Sequence, residues 1–367
     1  MMARLEEICA INMGQSPDSS TYNEDGNGLP FFQGNADFGE TYPAVRMWCS
    51  EPTKIAREKD ILISVRAPIG ALNIANCECC IGRGLAALTV NEDICAQEYL
   101  WHALSGKVDE LNSKGTGSTF KTINKKTLSE TEIPLPPIDE QRKIAAILDK
   151  VSDLIAKRQQ QLDKLDEAVK ARFVEMFGDP QNNEKSWKMR TFKEICTVRQ
   201  GLQIPISKRL THFEENCYEY ITVAYLHGAK DKEYIKNPKS TVICTKDDVL
   251  MTRTGNSGMV ITNVAGVFHN NFFLIDFDRD KYIKEFLVEY LNLDLIQTEL
   301  KKRAGTSTIP DLNHSEFYKI AIYEPPMDLQ NQFAAFVNQT EKSKTTISRS
   351  LEKLETLKKA LMQEYFG

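Results

Sequence analysis

The feature that most constrains this chain is a long internal repeat with a period of about 188 residues. Leu5-Glu6-Glu7-Ile8-Cys9, followed by Gly14, is answered by Phe192-Lys193-Glu194-Ile195-Cys196, followed by Gly201. Asp60-Ile61-Leu62-Ile63-Ser64 with Gly70 returns as Asp248-Val249-Leu250-Met251-Thr252 with Gly258. Ser118-Thr119 and Asn124 return as Ser307-Thr308 and Asn313. Pro136-Pro137, Asp139 and Gln141 return as Pro325-Pro326, Asp328 and Gln330, and Phe177-Gly178 returns as Phe366-Gly367. Solenoid repeats have periods of roughly 20–50 residues, so this is a duplicated domain and not a repeat array.

Each copy has the same order: a mixed segment of strands and short helices, a Pro-Pro break, then one long helix. Runs such as 60–65, 84–90 and 248–252 have the apolar, β-branched content of strands, and 99–104 and 286–291 read as short helices. A Pro-Pro pair cannot continue a hydrogen-bonded ladder but suits the turn before a helix. The segments expected are 1–135 and 179–324 for the globular parts, and 136–178 and 325–367 for the helices.

Along the first helix, Ile144, Leu148, Val151, Ile155, Leu162, Leu165 and Val169 follow alternating steps of four and three. Arg158 and Arg172 fill the positions in phase with them. Phe333, Val337, Ile347, Leu351, Leu354 and Leu361 take the same phases in the second helix, with Thr340, Lys344 and Lys358 between them. This is a heptad seam with polar interruptions. A narrow apolar stripe needs a partner to cover it, and the other helix of the same chain is the candidate. Polar seam residues often set register or partner choice.

Charge and cysteine content bound the class. The 367 residues carry 46 Lys plus Arg against 51 Asp plus Glu, a net charge of −5, whereas a basic surplus is the usual mark of nucleic-acid binding. Binding depends on local patches, however, so the balance argues only weakly. No apolar run approaches the roughly 18 residues of a membrane span, and the first residues lack a signal-peptide core; a cytoplasmic protein without membrane contact is expected. Nine cysteines are scattered. Cys77, Cys79 and Cys80 lie close together, but alternate strand residues face opposite ways, so no metal site is expected.

Two globular halves, each followed by a long helix opening on Pro-Pro-x-x-x-Gln, resemble the specificity (S) subunit of type I restriction–modification systems. The likeness rests on residues 135–145, on the linker 177–187, and on the strands 60–64 and 248–252 with their glycine turns. At the second helix start, Glu140-Gln141-Arg142 is matched by Leu329-Gln330-Asn331, a departure from the first. The resemblance implies an α+β fold of two tandem α/β target recognition domains separated by two long helices forming an antiparallel coiled coil. Each domain would read one half of a split sequence in double-stranded DNA. The helices would fix the spacing and dock methyltransferase (M) subunits, two in number, with restriction (R) subunits completing the endonuclease. Methylation and cleavage would belong to those partners, so the chain is expected to be no enzyme and to need no cofactor of its own.

Base reading needs side chains such as Arg, Gln, Asn and Ser/Thr at loop tips. Candidates in the first half are Gln15, Ser16, Gln33, Asn35, Arg66 and Arg83. In the second they are Gln200, Gln203, Arg253, Thr254, Asn256, Asn270 and Asn271. Phosphate positioning would fall to Lys114–Lys121, with Thr116, Ser118 and Lys121, and to the matching Lys301, Lys302, Arg303 and Thr306. DNA binding by the chain alone is expected to be weak.

Enzymatic readings lack their chemistry. Gly115-Thr-Gly-Ser-Thr-Phe120-Lys121-Thr122 nearly matches a phosphate loop, but Phe120 stands where the second glycine must be. No amino-methyltransferase Asn-Pro-Pro-Tyr type motif occurs, and no two of the five histidines are four residues apart. The alternative from another class is an assembly adaptor: a helical hairpin carrying two modules that bind protein and no DNA.

Overall fold

The structure is a computed structural model that describes residues 1–117, 121–228, 231–306 and 310–367. The chain divides into two compact units, 1–159 with 349–367, and 160–348. No helix among the described residues is long and apolar enough to cross a membrane.

In the first unit a four-stranded antiparallel sheet has the order Cys9–Met13, Leu85–Val90, Ile61–Ser64, Leu72–Ile74. Its central strand explains the apolar run read from the sequence. Ala86 and Leu88 face the short helix Gln97–Gly106 and the long helices, while Leu85 and Ala87 face a second core with Phe32 and Ile81. Both faces are buried, so the strand is apolar throughout. A second sheet contains the parallel pairing of Phe31 with Cys80 and Phe32 with Ile81. A two-stranded ladder joins Met2–Arg4 to Glu132–Pro134, closing the globular part just before the Pro-Pro break.

The second unit repeats this plan. Its four strands are Cys196–Gln200, Phe272–Phe277, Val249–Thr252 and Val260–Ile261, in that order. Tyr220 and Ile221 pair in parallel with Val267 and Phe268, and Lys188–Thr191 pairs with Ala321–Glu324. Phe273 and Ile275 face one core, Phe272 and Leu274 the other. The expected strands and the short helices Gln97–Gly106 and Lys284–Asn292 are all present.

The two long helices run Ile138–Phe177 and Met327–Phe366, 40 residues each. That corresponds to about 60 Å at the standard rise. In the first unit the opening turns of the first helix (Ile144, Leu148) share a core with the closing turns of the second, Phe366 with Leu361 and Tyr365. In the second unit Val169, Phe173 and Phe177 share a core with Phe333 and Val337. Opposite helix ends meet in each unit, as an antiparallel pair requires. Every expected seam residue is at least half-buried, Ile155, Leu162, Leu165, Ile347, Leu351 and Leu354 included. Thr340 is buried with its hydroxyl donated to the Phe336 carbonyl, and Lys344 pairs with Asp166 at 2.7 Å.

One seam position differs. Phe173 is fully buried and Arg172 turns outward to Glu175 at 2.8 Å. A straight α-helix drifts against a strict seven-residue repeat, and at its end the step from Val169 is four, to Phe173.

The Pro-Pro-x-x-x-Gln motif has a structural explanation. Gln141 and Gln330 are both fully buried. The Gln141 carboxamide accepts the Ala96 N–H at 2.9 Å and donates to the Ile94 and Pro136 carbonyls. Gln330 accepts the Ile283 N–H at 2.9 Å and donates to the Lys281 and Pro325 carbonyls. Each glutamine fastens its helix start to the loop before the short helix of its own domain.

The cysteine cluster divides as the strand geometry requires. Cys79 lies in one core and Cys80 in another, and burial pushes the Cys79 thiol up to about 12. Among the described residues no group of three ligating side chains is placed to hold a metal.

Candidate functional site

At one end of each main sheet the same loops meet, held by the same hydrogen bonds. In the first unit the Gly14 N–H donates to Leu85 O, Val65 N–H to Gly84 O, and Ile123 N–H to Val65 O. In the second unit Gly201 N–H donates to Phe272 O, Arg253 N–H to Asn271 O, and Leu312 N–H to Arg253 O. The duplicated glycines follow from this crowding: a β-carbon at Gly14 would strike the Gly82 carbonyl, and one at Gly201 the His269 carbonyl. The turns after 64 and 252 close alike, with Ser64 Oγ donating to Pro68 O and Thr252 Oγ1 to Asn256 O. Gly70 and Gly258, at φ +89° and +91°, supply the left-handed residue each turn needs.

In the first unit these loops enclose a cleft of about 240 Å³ lined by Gln33, Gly34, Asn35, Arg66, Ala67, Arg83 and Gly84. Four candidates from the sequence therefore converge: Gln33, Asn35, Arg66 and Arg83. Gln15 and Ser16 stand beside them. The Ser16 hydroxyl accepts the Arg83 N–H at 3.3 Å, and Gln15 N–H donates to Ile81 O at 3.0 Å. Asp37 of the same loop is already engaged, accepting from the Gln33 and Gly34 N–H groups and pairing with Arg46 at 3.3 Å. Arg66 and Arg83 are exposed, with no ion pair among the described residues. Thr116 and Thr122 exchange backbone hydrogen bonds beside Arg66, and exposed Lys121 accepts the Ala67 N–H with its carbonyl. Ser118 lies outside the described residues.

The second unit places a cleft of about 470 Å³ at the matching strand ends. Strand register makes the equivalence plain: Gly82 N–H donates to Phe32 O, and His269 N–H donates to Ile221 O. Thr222 thus stands where Gln33 does, Asn270 where Arg83 does, and Asn271 where Gly84 does. The lining adds Arg209, Tyr220, Tyr225, Asp231, Glu233 and His269, none of which the sequence singled out. Arg209 pairs with Glu233 at 2.9 Å, donates to Ile204 O, and lies 5.0 Å from the Tyr220 ring centre. Burial, then the Arg209 charge, hold His269 below its ordinary value, and its Nδ1 accepts the Asn271 N–H at 3.1 Å.

The other candidates of the second half are placed less simply. Asn271 lines the cleft, and Gln203 and Asn256 are exposed. Gln200 turns its amide inward to Asn270 O at 2.6 Å, leaving Gln200 Oε1 and Asn270 Oδ1 buried and unpartnered among the described residues. Arg253 is clamped in a two-point ion pair with Asp311, at 2.6 and 2.9 Å, which ties the turn to the loop bearing Asp311. Thr254 bridges to Asp311 in the same place. Lys301, Lys302 and Thr306 are exposed, whereas Arg303 is held by Glu299 at 2.6 Å and Glu316 at 3.2 Å.

The family model described as type I restriction modification DNA specificity domain matches residues 1–167 and 184–358. The chain belongs to that family. Among curated relatives of this specificity-domain chain, the MjaX type I restriction enzyme specificity subunit of Methanocaldococcus jannaschii is 42% identical over 165 residues. That match takes in 45% of this chain and 39% of the relative. The MjaIX specificity subunit of the same organism is 30% identical over 183 residues, 45% of this chain and 42% of that one. The chain thus matches less than half the length of either. Among solved structures, the type I restriction–modification S subunit from M. genitalium aligns over 100% of this chain and 96% of its own, with TM-score 0.66 and 16% identity. A chain from a structure on assembly of the type I R-M system aligns over 100% and 97%, with TM-score 0.59 and 17% identity. At these identities the likeness concerns the specificity-domain fold alone.

Proposed function

We propose that this chain is the DNA sequence-recognition subunit of a type I restriction–modification complex. Each globular half reads one half of a bipartite duplex target, and the long helices set the spacing and dock methyltransferase subunits, two per chain. Restriction subunits join that assembly, and methylation and cleavage belong to the partners. The observation that carries this reading is a cleft at the matching strand ends of each unit, sharing the loop after Phe32 or Ile221 and the loop at Gly84 or Asn271, and lined by side chains suited to base edges. Gene duplication supplies what a split target needs, two related readers whose side chains diverge while their frames stay alike. The curated relatives are named specificity subunits of type I restriction enzymes, which supports the same role here.

The test is an exchange. Replacing residues 1–134 with the matching part of a related subunit, then mapping methylated adenines in the host genome, should change one half of the target and leave the other. Both halves changing together would sink the independent-reader model. An adaptor that touches no DNA would leave the target unchanged.

A further inference from the structure

We infer that the first unit reads guanine through Arg66 and Arg83, so that arginine–guanine recognition is confined to one half of the bipartite target. This inference rests on the DNA-reading role proposed above and adds to it which half carries the guanines and which side chains recognise them.

The argument starts from the matched clefts. Arg66 and Arg83 line one cleft with Gln33 and Asn35, on loops whose backbones are fixed by the sheet and by Ser16. Rigid loops with free tips are the arrangement that direct readout needs. A guanidinium with no internal carboxylate keeps its forked donors for the O6 and N7 acceptors of guanine, the commonest specific contact in the major groove. Asp37, the carboxylate of the same loop, is occupied by Arg46 and two backbone N–H groups.

The second unit differs at the same positions. Where the first has Arg66 and Arg83, the second has Thr254 and Asn270, matched through the shared turn and strand register. The arginines near its cleft are committed internally, Arg209 to Glu233 and Arg253 to Asp311. Its cleft instead offers the Asn271 amide, the Thr222 hydroxyl and the Asp231 carboxylate, while Glu233 is taken up by Arg209. Those groups suit adenine and cytosine edges and disfavour a forked cation–guanine contact. The frame is thus common to both halves while the base chemistry is divided between them.

The experiment selects duplexes from a randomised pool with the full chain, alone and with a type I methyltransferase subunit. Wild type should enrich two sequence blocks, with guanine in the block that moves when residues 1–134 are exchanged. Arg66→Ala and Arg83→Ala should each lower the preference for one guanine in that block by roughly 5- to 150-fold, leaving the other block unchanged. Arg66→Lys and Arg83→Lys keep the charge but lose the fork, and should lose guanine preference while retaining most of the affinity. A duplex with 7-deazaguanine at the affected position should weaken wild type and leave the matching alanine variant unmoved. The inference is overturned by a first block without guanine, or by a uniform loss over all sequences with intact preference, which would assign both arginines to phosphate. Either result leaves the DNA-reading role standing. Enrichment of no sequence by wild type in either condition would overturn both.

Discussion

At the scale of single residues, the second half uses its charged groups to hold its own loops. The Arg253–Asp311 pair joins the turn after Val249–Thr252 to the loop at 310–312, and each side chain is only partly exposed. Hydrogen bonding from Arg253 holds the Asp311 carboxyl below its ordinary value. Solvent screening limits such a pair to about 0.5–1 kcal/mol. Arg253→Ala and Asp311→Ala should therefore each lower stability modestly, and the double variant should cost less than their sum. Chemical denaturation of the four proteins of that cycle measures it, and strict additivity would mean that the pair does not act as a unit. A pH prediction belongs here too. His269 and His314 both lie below the ordinary imidazole value of 6.5, mainly through burial. The unfolded chain then binds more protons than the folded one as pH falls through 6.5, so stability should decline in that direction. His269→Gln should flatten part of the decline between pH 6.5 and 5.5 in a series of thermal melts, and an unchanged slope would remove His269 from the account.

At the scale of elements, periodicity and repeat matching were enough to read the strands at 60–65, 84–90 and 248–252 and both long helices. They failed at Arg172, because a three–four pattern continued to the helix end hides the shift to Phe173. The recurrent glutamine was visible as a motif, but its role was not: two of its three partners lie far off in sequence, in the loop before the short helix, and that is a matter of tertiary structure. Gln141→Ala would leave a buried N–H and two carbonyls unpaired, as Gln330→Ala would in the other unit. Each substitution should cost about 2–4 kcal/mol, from more than one lost buried hydrogen bond, and urea denaturation should find similar losses for the two. A negligible loss at either site would show that its helix start is fastened by other contacts. The cleft of the first unit was legible because its arginines and amides sit on short, glycine-marked loops. That of the second was not, since Arg209, Asp231 and Glu233 lie in stretches where the repeat has diverged and only strand register reveals the equivalence.

At the scale of the whole molecule, the duplication makes one half a candidate for self-assembly. In the first unit the Phe366 ring packs at a tilt against Tyr99, 5.2 Å between ring centres. In the second, Phe177 meets Phe286 at 4.8 Å and Phe333 at 5.5 Å. The repeat makes Phe177 the counterpart of Phe366, Phe286 that of Tyr99, and Phe333 that of Ile144. Residues 1–178 therefore contain both the knob, Phe177, and a seat for it, Tyr99 with Ile144 and Leu148. A second copy should bring its Phe173 and Phe177 to that seat, where the full chain uses Met362 and Phe366. Burying a phenylalanine contributes roughly 1.5–3 kcal/mol, and two seats form per pair of copies. The weak point is Arg172, which takes the place of Leu361, but in the full chain its side chain already turns outward to Glu175. Two identical readers on an antiparallel pair would be related by a true twofold axis. With the methyltransferase present the target should become palindromic, and the spacer should stay similar because helix length is unchanged. Light scattering on purified 1–178, followed by methylation mapping, tests both steps, with Phe177→Ala expected to shift the fragment toward monomer. A monomeric, inactive fragment would mean that Phe177 cannot replace Phe366 at Tyr99, and that the two helices have lost their equivalence since the duplication.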